Sequence, residues 1–219
     1  PRSGAAAAWA RGEILGMAEH WRSLGQWRRA ATLAERFLAD NPADAALAEL
    51  RLAAARDLLA WAAAPVGRTA DAQAAIAEVT GRARAARAAL ERFIEDFPAD
   101  RARADAARWD TALSFLVQAR SLAGLSATLA RGQYVRAATE LSALASPPRA
   151  HPRAAEVAPL LWQIAAELEG REFHEEAIAL WHVLRLEHAG HPLAEQAGLM
   201  IAQTYHEKLA QPLRAAEAY

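Results

Sequence analysis

Five of the seven histidines, His174, His182, His188, His191 and His206, lie in the C-terminal quarter of the chain. His188-Ala189-Gly190-His191 straddles a turn beside Glu187, and such a cluster binds zinc only if a third and fourth ligand converge on it. The plainer reading makes His188 and His191 polar turn residues and sets His182, after Trp181, on a helix flank. His174-Glu175-Glu176 is not the His-Glu-x-x-His pattern that puts two ligands on one helical face. No metal site and no cofactor is expected. The carboxylate pairs Glu175-Glu176 and Glu95-Asp96 invite comparison with a glycosidase, which needs two facing carboxyl groups at a defined separation. Neighbours along a helix point in different directions, so these read as solvated charge. No Gly-x-Ser-x-Gly, phosphate loop or dinucleotide fingerprint occurs, and the sequence lends catalysis no support.

The arginine run Arg82-Ala83-Arg84-Ala85-Ala86-Arg87, continued by Arg92, Arg101 and Arg103, could meet an acidic partner. Interspersed Glu91, Glu95, Asp96, Asp100 and Asp105 neutralise it, so a solvated face with ordinary helix ion pairs is expected. The seven tryptophans are Trp9, Trp21, Trp27, Trp61, Trp109, Trp162 and Trp181. Trp61, near the end of an alanine-rich helix, is the one expected to be exposed and to suggest a partner surface.

The elements that carry these residues are helices. Of the 219 residues 53% are apolar and 23% charged, and more than a quarter are alanine, which loses no side-chain entropy in a helix and lets helices approach closely. The net charge of −1 gives no global attraction for nucleic acid or anionic membranes. No stretch approaches the ~18 apolar residues of a membrane span, so no membrane insertion is expected. The absence of cysteine fits a cytoplasm or a periplasm equally and leaves the compartment open. Lys208 as the only lysine, with the alanine excess, suggests a bacterium with a GC-rich genome.

Helical spacing predicts helices near 5–23, 26–40, 43–63, 70–96, 99–130, 133–146, 153–169, 172–189, 192–209 and from 211 onward. Breaks fall at Gly25, Asn41-Pro42, Pro65-Val66-Gly67, Phe97-Pro98, Gly132, Ser146-Pro147-Pro148, Gly170 and Gly190-His191-Pro192. The turns are short, so consecutive helices are antiparallel neighbours. Thr69 or Asp71 can cap the helix after Gly67, and the prolines both end one helix and open the next. Both ends read as cuts inside a longer protein.

Two phrases recur. Glu35-Arg36-Phe37-Leu38-Ala39-Asp40-Asn41-Pro42-Ala43-Asp44 returns as Glu91-Arg92-Phe93-Ile94-Glu95-Asp96-Phe97-Pro98-Ala99-Asp100, and Gly25-Gln26-Trp27-Arg28-Arg29-Ala30-Ala31-Thr32 as Gly132-Gln133-Tyr134-Val135-Arg136-Ala137-Ala138-Thr139. Such repetition marks a stacked helical array. In the spacing of Gly25, Ala30, Pro42 and of Gly81, Ala86, Pro98 the chain resembles the tetratricopeptide repeat family. Gly132, Ala137, Pro148 fits with one residue missing, and Gly170 to Ile178 reads like the same opening with an insertion. The spacing sets Ala30, Ala86, Ala137 and Ala177 where the helices of a hairpin cross, with Phe37 and Phe93 between adjacent hairpins. Large and small residues are exchanged relative to the family at Ala34, Leu90, Phe37 and Phe93. Prolines 42, 98, 148 and 192 lie 56, 50 and 44 residues apart, beyond the ~34-residue repeat, so some helices are longer than standard.

The resemblance implies an all-α, right-handed α-solenoid of antiparallel hairpins, one domain over 1–219, with units near 5–42, 43–98, 99–148, 151–192 and an incomplete 193–219. It implies a non-enzymatic scaffold for a peptide or protein surface, as in irregular bacterial envelope-associated repeat proteins. First helices would line a concave face carrying Glu19 and Arg22 at one end and Gln203 and His206 at the other, with Arg22 as an anion clamp. The alternative is a structural spacer or oligomerisation arm of a larger protein.

Overall fold

The computed structural model describes residues 4–39, 47–67, 71–146 and 150–218. Among them the chain forms ten α-helices and no strand. It falls into two compact units, Pro1–Ser121 and Leu122–Tyr219.

The first unit contains α1 (Gly4–Ser23), α2 (Trp27–Ala39), α3 (Ala48–Ala63), α4 (Ala72–Asp96) and α5 (Arg101–Leu122). Gly25 ends the first hairpin turn at φ +68°, a left-handed backbone that glycine adopts without Cβ strain. There the Gln26 N–H donates to the Trp21 carbonyl and the Gly25 N–H to Arg22, which satisfies the last carbonyls of α1. Asp71 caps α4, its carboxylate accepting from the Gln73 N–H at 2.8 Å; Thr69 lies outside the described residues, as do Asn41-Pro42 and Pro147-Pro148. Pro98 sits in the turn ahead of α5 rather than opening it, and Asp100 takes the cap by accepting from the Arg103 N–H at 3.2 Å.

The side chains show how the helices run. Arg51 near the start of α3 pairs with Asp96 at the end of α4 at 2.7 Å, while Arg82, early in α4, donates to the Trp61 and Ala64 carbonyls at the end of α3. These two helices are therefore antiparallel. Ala31, Leu58 and Ala86 bring α2, α3 and α4 into one cluster, and Phe93 joins Ala48, Leu52, Leu90 and Ala107 between α3, α4 and α5. Ala30, Ala86, Ala137 and Ala177 are all fully buried, as the hairpin spacing requires. Phe37 packs against the cluster of Ala34, Leu47 and Leu50. A leucine at Ala86 would overpack its crossing by about 1–3 kcal/mol.

The second unit contains α6 (Ala127–Ala145), α7 (Val157–Glu169, led by a 3₁₀ turn at Ala154–Glu156), α8 (His174–Glu187), α9 (Pro192–Gln203) and α10 (Pro212–Ala218). Tyr134 of α6 donates to Glu167 near the end of α7, and Arg131 of α6 pairs with Glu176 of α8 at 3.3 Å. Its core is Leu161, Ile164, Leu168, Trp181, Leu184 and Ile201, all fully buried. At the end of α9 the chain widens into a π turn over Thr204–Lys208, where the Leu209 N–H reaches back to Thr204.

Two expected boundaries differ. The break expected at Gly132 lies earlier: α5 stops at Leu122, and the Ser126 hydroxyl caps α6 by accepting from the Leu129 N–H. Gly132 stands inside α6, as Gly81 stands inside α4, with open space where a Cβ would go. Serine supplies the oxygen that an N-terminus needs, and glycine alone does not stop a helix whose next residues continue its apolar stripe. After α7, Gly170 keeps right-handed dihedrals, and Glu172 takes the left-handed position at φ +66°.

Candidate functional site

In the first unit a groove of about 620 Å³ is lined chiefly by α3 and α5, with Arg22 of α1 at its wall. Its small residues, Ala53, Ala60, Ala102 and Ala106, leave the space, and Trp27 borders it. The charged walls are built by pairs between parallel neighbours. Arg22 of α1 grips Asp57 of α3 with two bonds, Nε to Oδ1 at 2.7 Å and Nη2 to Oδ2 at 3.0 Å. Its Nη1 donates to Glu19 at 3.0 Å. One helix further on, Arg56 of α3 donates to Asp110 of α5 at 2.7 Å, and at the rim Arg103 pairs with Asp100 at 2.6 Å.

The electrostatics follow from burial. Asp57 is only 3% exposed. Burial pushes its carboxyl above the ordinary value against the opposing pull of Arg22, while hydrogen bonding to Asp57 raises Arg22. Taking a carboxylate out of water is costly unless a geometrically good partner meets it, and the two-point grip provides one. Asp100 is lowered by Arg103, chiefly through the hydrogen bond between them. The result is a wall of opposed charges held in fixed positions, with half-exposed Arg56 and Arg103 and exposed Glu49 facing the groove.

Of the four residues expected to bind a partner, Glu19 and Arg22 are brought together, and the Arg22 guanidinium already holds two carboxylates of its own chain. Gln203 ends α9 and His206 lies in the π turn, both exposed, in the second unit. Asp57, Arg56 and Asp110 were missed. Their signal was a charged pair, Arg56-Asp57, set inside the otherwise apolar run from Leu52 to Trp61, where a buried charge needs a partner on another helix.

Trp61 is not the exposed tryptophan. It is half-buried, with Arg28 and Arg82 both over its ring at 5.0 and 4.9 Å, and Trp9, 69% exposed, stands out instead. Nor is the arginine run wholly a solvated face: Arg82 is buried and Arg87 lies over the Phe115 ring at 4.4 Å. The helix carbonyls at the end of α3 and the aromatic faces draw these guanidinium groups inward. Among the described residues no group of three or more histidines, cysteines or carboxylates is placed to hold a metal ion, and no helix is long and apolar enough to cross a membrane.

Fold and groove together define the molecule's class: an all-α chain whose consecutive helices pack as neighbours, with a charged groove across helices in alternate positions. Comparison with protein families, curated proteins and solved structures finds no match.

Proposed function

We propose that this chain is a non-enzymatic interaction scaffold of the tetratricopeptide-like, right-handed α-solenoid kind, and that its groove holds an extended peptide segment of a protein partner. The observation that carries the reading is the groove itself, lined by α1, α3 and α5 with alanine where bulk would fill it. Arg56 and Arg103 offer remaining guanidinium N–H groups, and Glu49 a carboxylate, to the amides and polar side chains of a bound chain. Because Arg22–Asp57 and Arg56–Asp110 already fix these walls, little side-chain entropy is lost when a partner docks.

The test is a peptide library displayed against the chain, followed by Ala102→Trp. Ala102 is exposed at the groove edge, so tryptophan there fills the groove while leaving the core intact. Selected peptides should lose at least about tenfold in affinity with thermal unfolding unchanged, a loss of ~1.4 kcal/mol. Undiminished binding to the variant would sink the assignment.

A further inference from the structure

The histidines do work that neither the groove nor a metal explains. His191 is the N-cap of α9: its Nδ1 accepts the Leu193 N–H at 3.2 Å, with Pro192 opening the helix. His151, buried in the turn between α6 and the 3₁₀ lead-in to α7, is not a helix cap but makes the same kind of bond, its Nδ1 accepting the Arg153 N–H at 3.0 Å. Its own N–H donates to the Leu144 carbonyl at 2.7 Å and its carbonyl accepts from Ala154, so one residue ties the end of α6 to the approach to α7. An imidazole accepts at Nδ1 only when that nitrogen carries no proton. Protonation replaces the acceptor with a donor facing a backbone N–H. At His191 it also sets a positive charge at the positive end of the α9 dipole.

We propose that His151 and His191 make the second unit a proton-operated release, in which protonation of both rings frees the turn ahead of α7 and the start of α9 while the first unit stays closed. The first unit has one histidine, His20, exposed on α1, whereas the other six fall in the second. His188 adds to the device from the end of α8. Its Nε2 is buried with no hydrogen-bond partner, and burial depresses its pKa, with His191 acting in the same direction and Glu187 against it. Other charges at these sites are Arg153 and Glu156 beside His151, Glu195 in the first turn of α9, and Arg185 of α8, whose side chain meets Gly198 of α9. A proton on Nδ1 replaces the acceptor in either turn with a donor facing the backbone N–H, so the protonated ring cannot hold that turn. For His188 the stabilisation is complete above the ordinary value of 6.5 and is lost as pH falls below it.

Hydrogen exchange of the whole chain, corrected for intrinsic rates and compared at neutral and mildly acid pH, tests this directly. Segments 153–157 and 192–203 should exchange about fivefold faster in acid, the ratio that loss of one such hydrogen bond implies, while α3 and α4 stay protected. Asparagine also caps helices but does not titrate in this range, so His151→Asn with His191→Asn should keep the neutral-pH protection and abolish the acid response. Equal protection at both pH values in the wild type overturns the proposal, as does an acid response that survives in the double variant. Should that variant not fold, nitrogen NMR of the wild-type imidazoles decides. Both neutral rings must carry their proton on Nε2, and a proton on Nδ1 in either contradicts these bonds.

Discussion

The two units bury different things. The first puts charge inside: Asp57, Arg82 and Asp110 are all among its buried residues. The second keeps buried arginine and carboxylate out of its interior, among the described residues, and fills it with Trp181, Leu161, Ile164, Leu168 and Leu184. Its polar devices are the Tyr134–Glu167 hydrogen bond, the His191 cap of α9 and the His151 bond in the turn ahead of α7. Apolar packing is enough to hold a row of helices together. Buried ion pairs add little net stability but specify one arrangement, so their concentration at the α1, α3 and α5 groove marks where position matters.

The sharpest way to break this contrast is to remove one ion-pair partner. Arg22→Ala leaves Asp57 buried and unpaired, and should destabilise the first unit by about 3–5 kcal/mol in urea unfolding. Replacing both with apolar residues, as in Arg22→Met with Asp57→Leu, should recover most of that loss while degrading the groove. If the single variant costs nothing, the pair is not a brace. Trp181→Ala should cost the second unit about 3–5 kcal/mol through its cavity, leaving the first unit's exchange protection unaltered.

Smaller effects sharpen the picture. Burial, reinforced by Glu167, raises the Tyr134 hydroxyl from 10.0 to about 12. Its contribution is therefore full below pH 10 and lost as pH rises towards the folded value, which absorbance of tyrosinate during alkaline unfolding will follow. Tyr134→Phe should remove that slope and cost about 1 kcal/mol at neutral pH. Smallest are the left-handed residues Glu172 and Ala210, at φ +66° and +52°. Glycine at either should raise the stability of the second unit by about 0.5–1 kcal/mol in thermal melts, because the Cβ strain disappears.

Much of the array was legible because the signals are local. Alanine spacing picked out four fully buried positions, Ala30, Ala86, Ala137 and Ala177, and His191-Pro192 announced the start of α9. Gly132 misled because its phrase repeats that of Gly25, yet the phrase is read at a turn in one place and inside a helix in the other. What separates them is the Ser126 cap and the left-handed backbone at Gly25. The groove was half legible. Short turns put α1, α3 and α5 in alternate positions along the chain, but Asp57 and Asp110 lie 35 and 54 residues from the arginines that meet them, and no local pattern encodes such pairings. Trp61 failed for the same reason, since Arg82 reaches it from another helix.

The groove of α1, α3 and α5 is proposed to receive a peptide. Hydrogen exchange of the chain with and without a selected peptide tests it most directly. Added protection should be confined to α3 around 49–60 and the start of α5 around 101–106; protection falling instead on the second unit, with these segments unchanged, would rule the groove out as the binding site.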